Sequence, residues 1–136
     1  MEDKWIYVGI FLDEDSKADL MSLYPTPTGW KPYYDHMTVV FNDYSELAKA
    51  VKDFNEGNLE EDFPLIVTAV GISENAMAVK VKLPLGVLCA NSIAHVTLSV
   101  SPNGKPSDSN DIQIWHEVEP VELWGTMKVY TGKSSE

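Results

Sequence analysis

The chain has 136 residues, with 10 lysine plus arginine against 21 aspartate plus glutamate and a formal net charge of −11, and all ten cations are lysines. That length fits one domain with a single sizeable core, 1–136, and 44% hydrophobic residues exclude a disordered chain. The charge excludes long duplex nucleic acid and polybasic membrane attachment, which draw their affinity from cations meeting phosphates.

The lone cysteine, Cys89, forms no internal disulfide. The charged start Met1-Glu2-Asp3-Lys4 lacks the apolar run of a secretory signal, and no stretch of about eighteen apolar residues occurs. A soluble cytoplasmic protein with no membrane partner is the expectation.

From Trp5 to Leu12 apolar residues alternate, with Ile6, Val8, Ile10 and Leu12 on one face and Trp5, Tyr7, Gly9 and Phe11 on the other. That predicts a first strand. Asp13 to Tyr24 opens on acidic residues and a serine and ends before a proline, which predicts a short helix. Three prolines and a glycine between Pro25 and Pro32 predict an exposed loop carrying Trp30. His36 to Phe41 reads as a second strand, and Ser45 to Phe54 as a second helix with Leu47, Ala48, Val51 and Phe54 on one face. Phe63 to Ile72 and Ala76 to Leu83 form a hairpin around Ser73-Glu74-Asn75. A strand at Ala94 to Val100, a polar loop at Ser101 to Asp111, two strands at Ile112–Val118 and Val121–Tyr130, and a frayed tail at Lys133–Glu136 complete the chain. This order predicts an α+β unit, an antiparallel or mixed sheet with helices on one side.

Two segments share one pattern: Asp35-His36-Met37-Thr38-Val39-Val40-Phe41 and Ala94-His95-Val96-Thr97-Leu98-Ser99-Val100. Side chains on a strand alternate with period two. His and Thr of each copy therefore share a face, while Met37, Val39, Phe41 and Val96, Leu98, Val100 take the other. With three histidines and seven threonines, random placement gives two His-x-Thr occurrences about one time in a hundred, so the pair carries more weight than either copy. Two imidazoles facing one phosphate suit phosphodiester cleavage, since one can take a proton from the nucleophile while the other gives one to the leaving oxygen. A threonine two residues along can hold a non-bridging oxygen. The scheme uses no metal and no cofactor.

On these motifs the chain resembles the 2H phosphoesterase superfamily, most closely its 2′,3′-cyclic-nucleotide 3′-phosphodiesterase and tRNA-ligase cyclic-phosphodiesterase branch, together with the small phage 2H nucleases. Gly104-Lys105-Pro106 with Asp108, and Lys128 to Lys133, extend the likeness in the second half; Tyr7 to Leu12 and Phe41 to Tyr44 extend it in the first. The resemblance implies a compact two-lobed fold, with antiparallel or mixed sheets around a central cleft and helices on the outer face. It also implies that His36 and His95 are the acid–base pair and that Thr38 and Thr97 hold the phosphate. The implied substrate is a cyclic di- or oligonucleotide signal, as in phage evasion of anti-phage defence, or a 2′,3′-cyclic phosphate on a mononucleotide or an RNA end. A non-catalytic nucleotide-binding module is the alternative. The motifs stand only about sixty residues apart, and the absence of arginine leaves Lys80, Lys82, Lys105 or Lys128 as the available cations.

Strand parity adds substrate-binding candidates. Tyr7 and Trp124 are possible stacking walls, Ser99 extends the face of His95 and Thr97, and Lys105 sits in the loop after that strand. Trp30, Tyr33 and Tyr34 stand near enough to His36 to close over a nucleotide. His116 lacks a threonine partner and reads as a core-edge imidazole, and Cys89 as a small buried residue.

Overall fold

The computed structural model describes residues 5–91 and 93–131; the charged start and the expected tail lie outside the described residues. Both predicted helices are present. The first, α1 (Glu14–Leu23), is capped by the Asp13 carboxylate, which accepts from the Ser16 amide at 2.8 Å. The second, α2 (Glu46–Phe54), is capped in the same way by Ser45, which accepts from the Ala48 amide at 3.0 Å. Among the described residues no helix is long and apolar enough to cross a membrane.

The strands are β1 (Tyr7–Leu12), β2 (Lys31–Pro32), β3 (His36–Phe41), β4 (Asp62–Ile72), β5 (Ala76–Lys82), β6 (His95–Val100) and β7 (Trp115–Tyr130). They run in the order β6-β3-β1-β7-β4-β5, and β5 pairs back onto β6. Every pairing is antiparallel, with β2 a short flank on β6. The result is a closed six-stranded antiparallel barrel, which corrects the expectation of a two-lobed α+β fold with sheets around a cleft and helices outside. Neither helix joins parallel strands, so neither serves as the crossover that organises a layered α/β architecture. Closure leaves the principal strands without free edges.

One long strand replaces two predicted ones. β7 runs for 16 residues, pairing with β4 from Trp115 to Thr126 and with β1 from Gly125 to Tyr130. Pro120 does not end it, because the register with β4 slips between Val67 and Ala69, opposite the segment containing Pro120. A proline lacking its amide hydrogen is tolerated at such an irregularity. His116 lies on the exposed side of β7, not at a core edge.

The barrel is filled by one apolar cluster, including Val8 and Ile10 of β1, Met37 and Val39 of β3, Leu65, Val79, Val96, Leu98, Leu123 and Met127. Leu20 of α1 and Ala48 and Val51 of α2 join it. A smaller cluster, Ala76, Ala78, Val100 and Ile112 with Tyr33 and Trp115, packs under the 3₁₀ turn at Pro106–Asp111.

Alternation is broken at the same point in both motif strands. Val8 faces Val40 and Gly9 faces Thr38, so Val39 is an extra residue in β3. Met77 faces Ser99 and Ala78 faces Thr97, so Leu98 is an extra residue in β6. A β-bulge thus follows the threonine of each His-x-Thr and reverses which residues face inward. Beyond it Phe41 stands on the outer face with the histidines, 61% exposed, contrary to its predicted place among the core residues. Ser99 makes the opposite move. It is fully buried, and its hydroxyl has no hydrogen-bond partner. Ser99→Ala is therefore expected to leave stability unchanged or raise it by up to about 1 kcal/mol, read from the urea midpoint, because the buried hydroxyl gives up its water for nothing. A clear loss of stability would show that the hydroxyl is paired.

Candidate active site

β3 and β6 meet through a single pairing, Met37 opposite Val96. That register sets the His36 and Thr38 face beside the His95 and Thr97 face, and the strands splay around a cleft of about 550 Å³. All four motif residues line it, with Tyr7, Tyr33, Asp35, Phe41 and Asn91 and, from the 3₁₀ turn, Pro106, Ser107 and Asn110.

Each histidine is held differently. His95 Nδ1 lies 2.9 Å from the Ile93 carbonyl oxygen. A carbonyl only accepts, so Nδ1 carries the hydrogen and the neutral ring keeps its Nε2 lone pair for another partner. The His36 ring lies against β1, stacked on Tyr7 at 4.9 Å and tilted against Phe11 at 5.1 Å between ring centroids. Gly9 sits between those two aromatics. A Cβ there would come within 3.3 Å of the His36 ring and 3.2 Å of the Met37 carbonyl oxygen, so the residue with no side chain lets the imidazole lie down. Burial pushes the His36 pKa below its ordinary value, with Asp35 opposing that shift through its charge. Asp35 Oδ2 stands 3.5 Å from His36 Nδ1, and Oδ1 stands 3.4 Å from Lys17 Nζ on α1, so one carboxylate spans the imidazole and the helix. The Nδ1 atom is otherwise buried without a hydrogen-bond partner.

The threonines are also supported unequally. Thr97 Oγ1 and Ser109 Oγ share a hydrogen bond of 2.8 Å, which ties β6 to the 3₁₀ turn through a buried serine. Thr38 is braced through its backbone: Cys89 Sγ and Asn91 Nδ2 point at its carbonyl oxygen at 3.7 and 3.5 Å. Tyr7, stacked also on Tyr130 at 4.8 Å, has its hydroxyl pKa pushed up to about 12 by burial, with Asp35 and Tyr130 adding to the shift. It stays a neutral aromatic across the working pH range.

Of the sequence-derived candidates, the cleft brings together His36, Thr38, His95, Thr97 and Tyr7. Ser99 points into the barrel, and Trp124 lies on β7 opposite Pro64, away from the cleft. Lys105 is exposed at the start of the 3₁₀ turn and stands outside the lining, though the next two residues are part of it. Lys80 lies over the Trp115 ring at 5.6 Å. Among the described residues no lysine lines the cleft. Tyr34 is fully buried, and Tyr33 alone of the three aromatics before His36 reaches the cleft. Asn91, Ser109, Asn110 and the outward turn of Phe41 were missed. The loop asparagines and serine carry no periodic signal, and the bulge moved Phe41.

No family model and no curated protein matches this chain. Among solved structures it is similar to a fungal RNA kinase, with a TM-score of 0.69 at 10% sequence identity over 96% of this chain and 46% of that one. The chain thus spans about half the length of that enzyme, and what the two share is the fold.

Proposed function

We propose that this protein is a two-histidine phosphodiesterase of the 2H type, hydrolysing a phosphodiester in a small nucleotide or at an RNA end. The observation that carries the reading is the convergence of both His-x-Thr pairs on one cleft, with the His95 Nε2 lone pair free. The likeness to an RNA kinase supports an RNA-related substrate. With a phosphate seated between β3 and β6, Thr38 and Thr97 donate hydrogen bonds to its non-bridging oxygens. His95 Nε2 takes a proton from water as the water oxygen bonds to phosphorus. His36, protonated, gives its proton to the leaving ribose oxygen as the P–O bond breaks. The products are a phosphomonoester and a free hydroxyl, and the two histidines end with their protons exchanged.

The proton on His36 can be followed directly. Burial holds the His36 pKa below its ordinary value, and Asp35 opposes that shift through its charge. Asp35→Asn removes the opposing charge, so the His36 pKa, read from its ring-proton NMR resonance against pH, is expected to fall further, and kcat/KM to fall because a smaller share of His36 carries the proton it must donate. An unmoved His36 titration would remove Asp35 from the proton inventory.

The reading as a whole is tested by incubating the protein with 2′,3′-cyclic mononucleotides, an oligoribonucleotide ending in a cyclic phosphate, and several cyclic dinucleotides, with products separated by chromatography. Turnover of at least one is expected. Tight binding without turnover of any would identify a non-catalytic nucleotide-binding module instead.

A further inference from the structure

The cleft has two ends, and they are furnished alike. Antiparallel pairing of Met37 with Val96 sets His36 near Thr97 at one end and Thr38 near His95 at the other. Beyond Thr38 lie Phe41, turned outward by the bulge, and Asn91, whose amide reaches the Thr38 carbonyl. Beyond Thr97 lie Tyr33, whose amide donates to the Leu98 carbonyl at 2.8 Å, and Asn110, next in sequence to the serine that holds Thr97. Each end therefore has an aromatic ring and a side-chain amide, with the histidines and threonines between them and Tyr7 stacked on His36. An aromatic face stacks on any base, and an asparagine amide offers a donor and an acceptor that match a base edge. From His36 to Phe41 is four ladder steps of roughly 3.3 Å each, the same span as Phe11 to Tyr7 on β1, since the bulged Val39 adds no length, and that is longer than a single nucleoside bridges. Among the described residues the lining carries no cation besides the histidines, and its one carboxylate, Asp35, is paired with Lys17, so nothing there is placed to hold additional phosphates.

Resting on the two-histidine reading above, we infer that the substrate is a phosphodiester flanked by two nucleosides, one base seated at Phe41 and Asn91 and the other at Tyr33 and Asn110. Water adds to the central phosphorus and one ribose oxygen leaves with a proton, so one nucleotide keeps the phosphate and its neighbour regains a hydroxyl.

The test compares 2′,3′-cyclic AMP with linear dinucleoside monophosphates and with cyclic dinucleotides. It uses calorimetric binding to the His95→Ala variant and to the unaltered protein, and kcat/KM for the unaltered protein. Two-base ligands are expected to bind about 10- to 100-fold more tightly than the mononucleotide, the contribution of one added stacked base. Phe41→Ala and Tyr33→Ala should each narrow that ratio by about tenfold. Linear against cyclic preference then identifies an RNA terminus or a closed signalling nucleotide as the source. Equal affinity for one-base and two-base ligands overturns the inference, even where turnover of 2′,3′-cyclic AMP upholds the phosphodiesterase reading. Two-base preference without turnover of any ligand has the opposite meaning: the seating stands and the catalytic reading falls.

Discussion

Replacing His95 by alanine is expected to lower kcat by about 10²- to 10⁴-fold, the range in which a positioned acid or base contributes. His36→Ala should do the same. The losses should not add in the double variant, because a base without its acid, or an acid without its base, leaves the same unassisted step. The fold should survive both changes. His95 is half-buried and holds only the Ile93 carbonyl, while His36 loses stacking against Tyr7 and Phe11 on the outer face of the barrel and no contact in its apolar interior. Far-ultraviolet circular dichroism and the urea midpoint establish that control. A chelator should leave the unaltered protein's rate unchanged, since the proton transfers and phosphate contacts are assigned to side chains. Full activity in either single variant would end the two-histidine mechanism.

Tyr34→Ala is expected to destabilise the protein by about 3–5 kcal/mol, the range for emptying a buried aromatic site. Tyr34 is completely buried immediately before Asp35 and His36. Its φ of 44° places it in the left-handed region, uncommon for a residue with a side chain, so its surroundings must hold it there. They do so at the backbone, where its amide donates to the Thr97 carbonyl at 3.2 Å, and at the far end of the side chain. The hydroxyl donates to the Tyr24 carbonyl and accepts from Thr26 Oγ1 at 3.0 Å, fastening the proline-rich loop to the start of β3. Tyr34→Phe keeps the ring and loses only these bonds, which should cost about 1 kcal/mol at a half-buried site. Denaturant midpoints for the two variants separate packing from anchoring. A Tyr34→Phe midpoint equal to that of the unaltered protein would show that the hydroxyl does nothing for the loop.

Much of the local structure was legible because it is written in periodicity. The caps Asp13 and Ser45 announce their helices, β1 alternates as its sequence says, and β4 and β5 form the expected hairpin. The two His-x-Thr pairs were legible because a two-residue interval on a strand keeps its side chains together. Closure of the barrel was not. It depends on β5 reaching β6 and on β7 serving both β1 and β4, pairings between segments far apart in the chain that no local window contains. The bulges at Val39 and Leu98 were equally silent, since both residues are apolar and suit a regular strand. Their effect was large: they put Ser99 inside the barrel and Phe41 on the cleft, reversing what parity predicts for each. Pro120 misled in another way, by reading as a strand end when the register slip lets it stay within β7.

The seam between β3 and β6 has one paired position, whereas β1 with β3 and β5 with β6 each have five. On the Thr97 side of that position β2 and the Tyr33 and Tyr34 amides carry the bonding on along β6, while on the His95 side no further pair joins the two strands among the described residues. A ladder's resistance to parting grows with the bonds that must break together. The barrel is therefore least bonded where Thr38 and His95 face each other. Amide protons on that side of Met37 and Val96 should be among the first in the sheet to exchange with deuterated water, well ahead of those between β4 and β7. Parting there costs little because most of the ring stays paired while one seam loosens. Ligand entry and product departure can then use the same few ångströms of give, with the rest of the barrel as the frame to which the strands return.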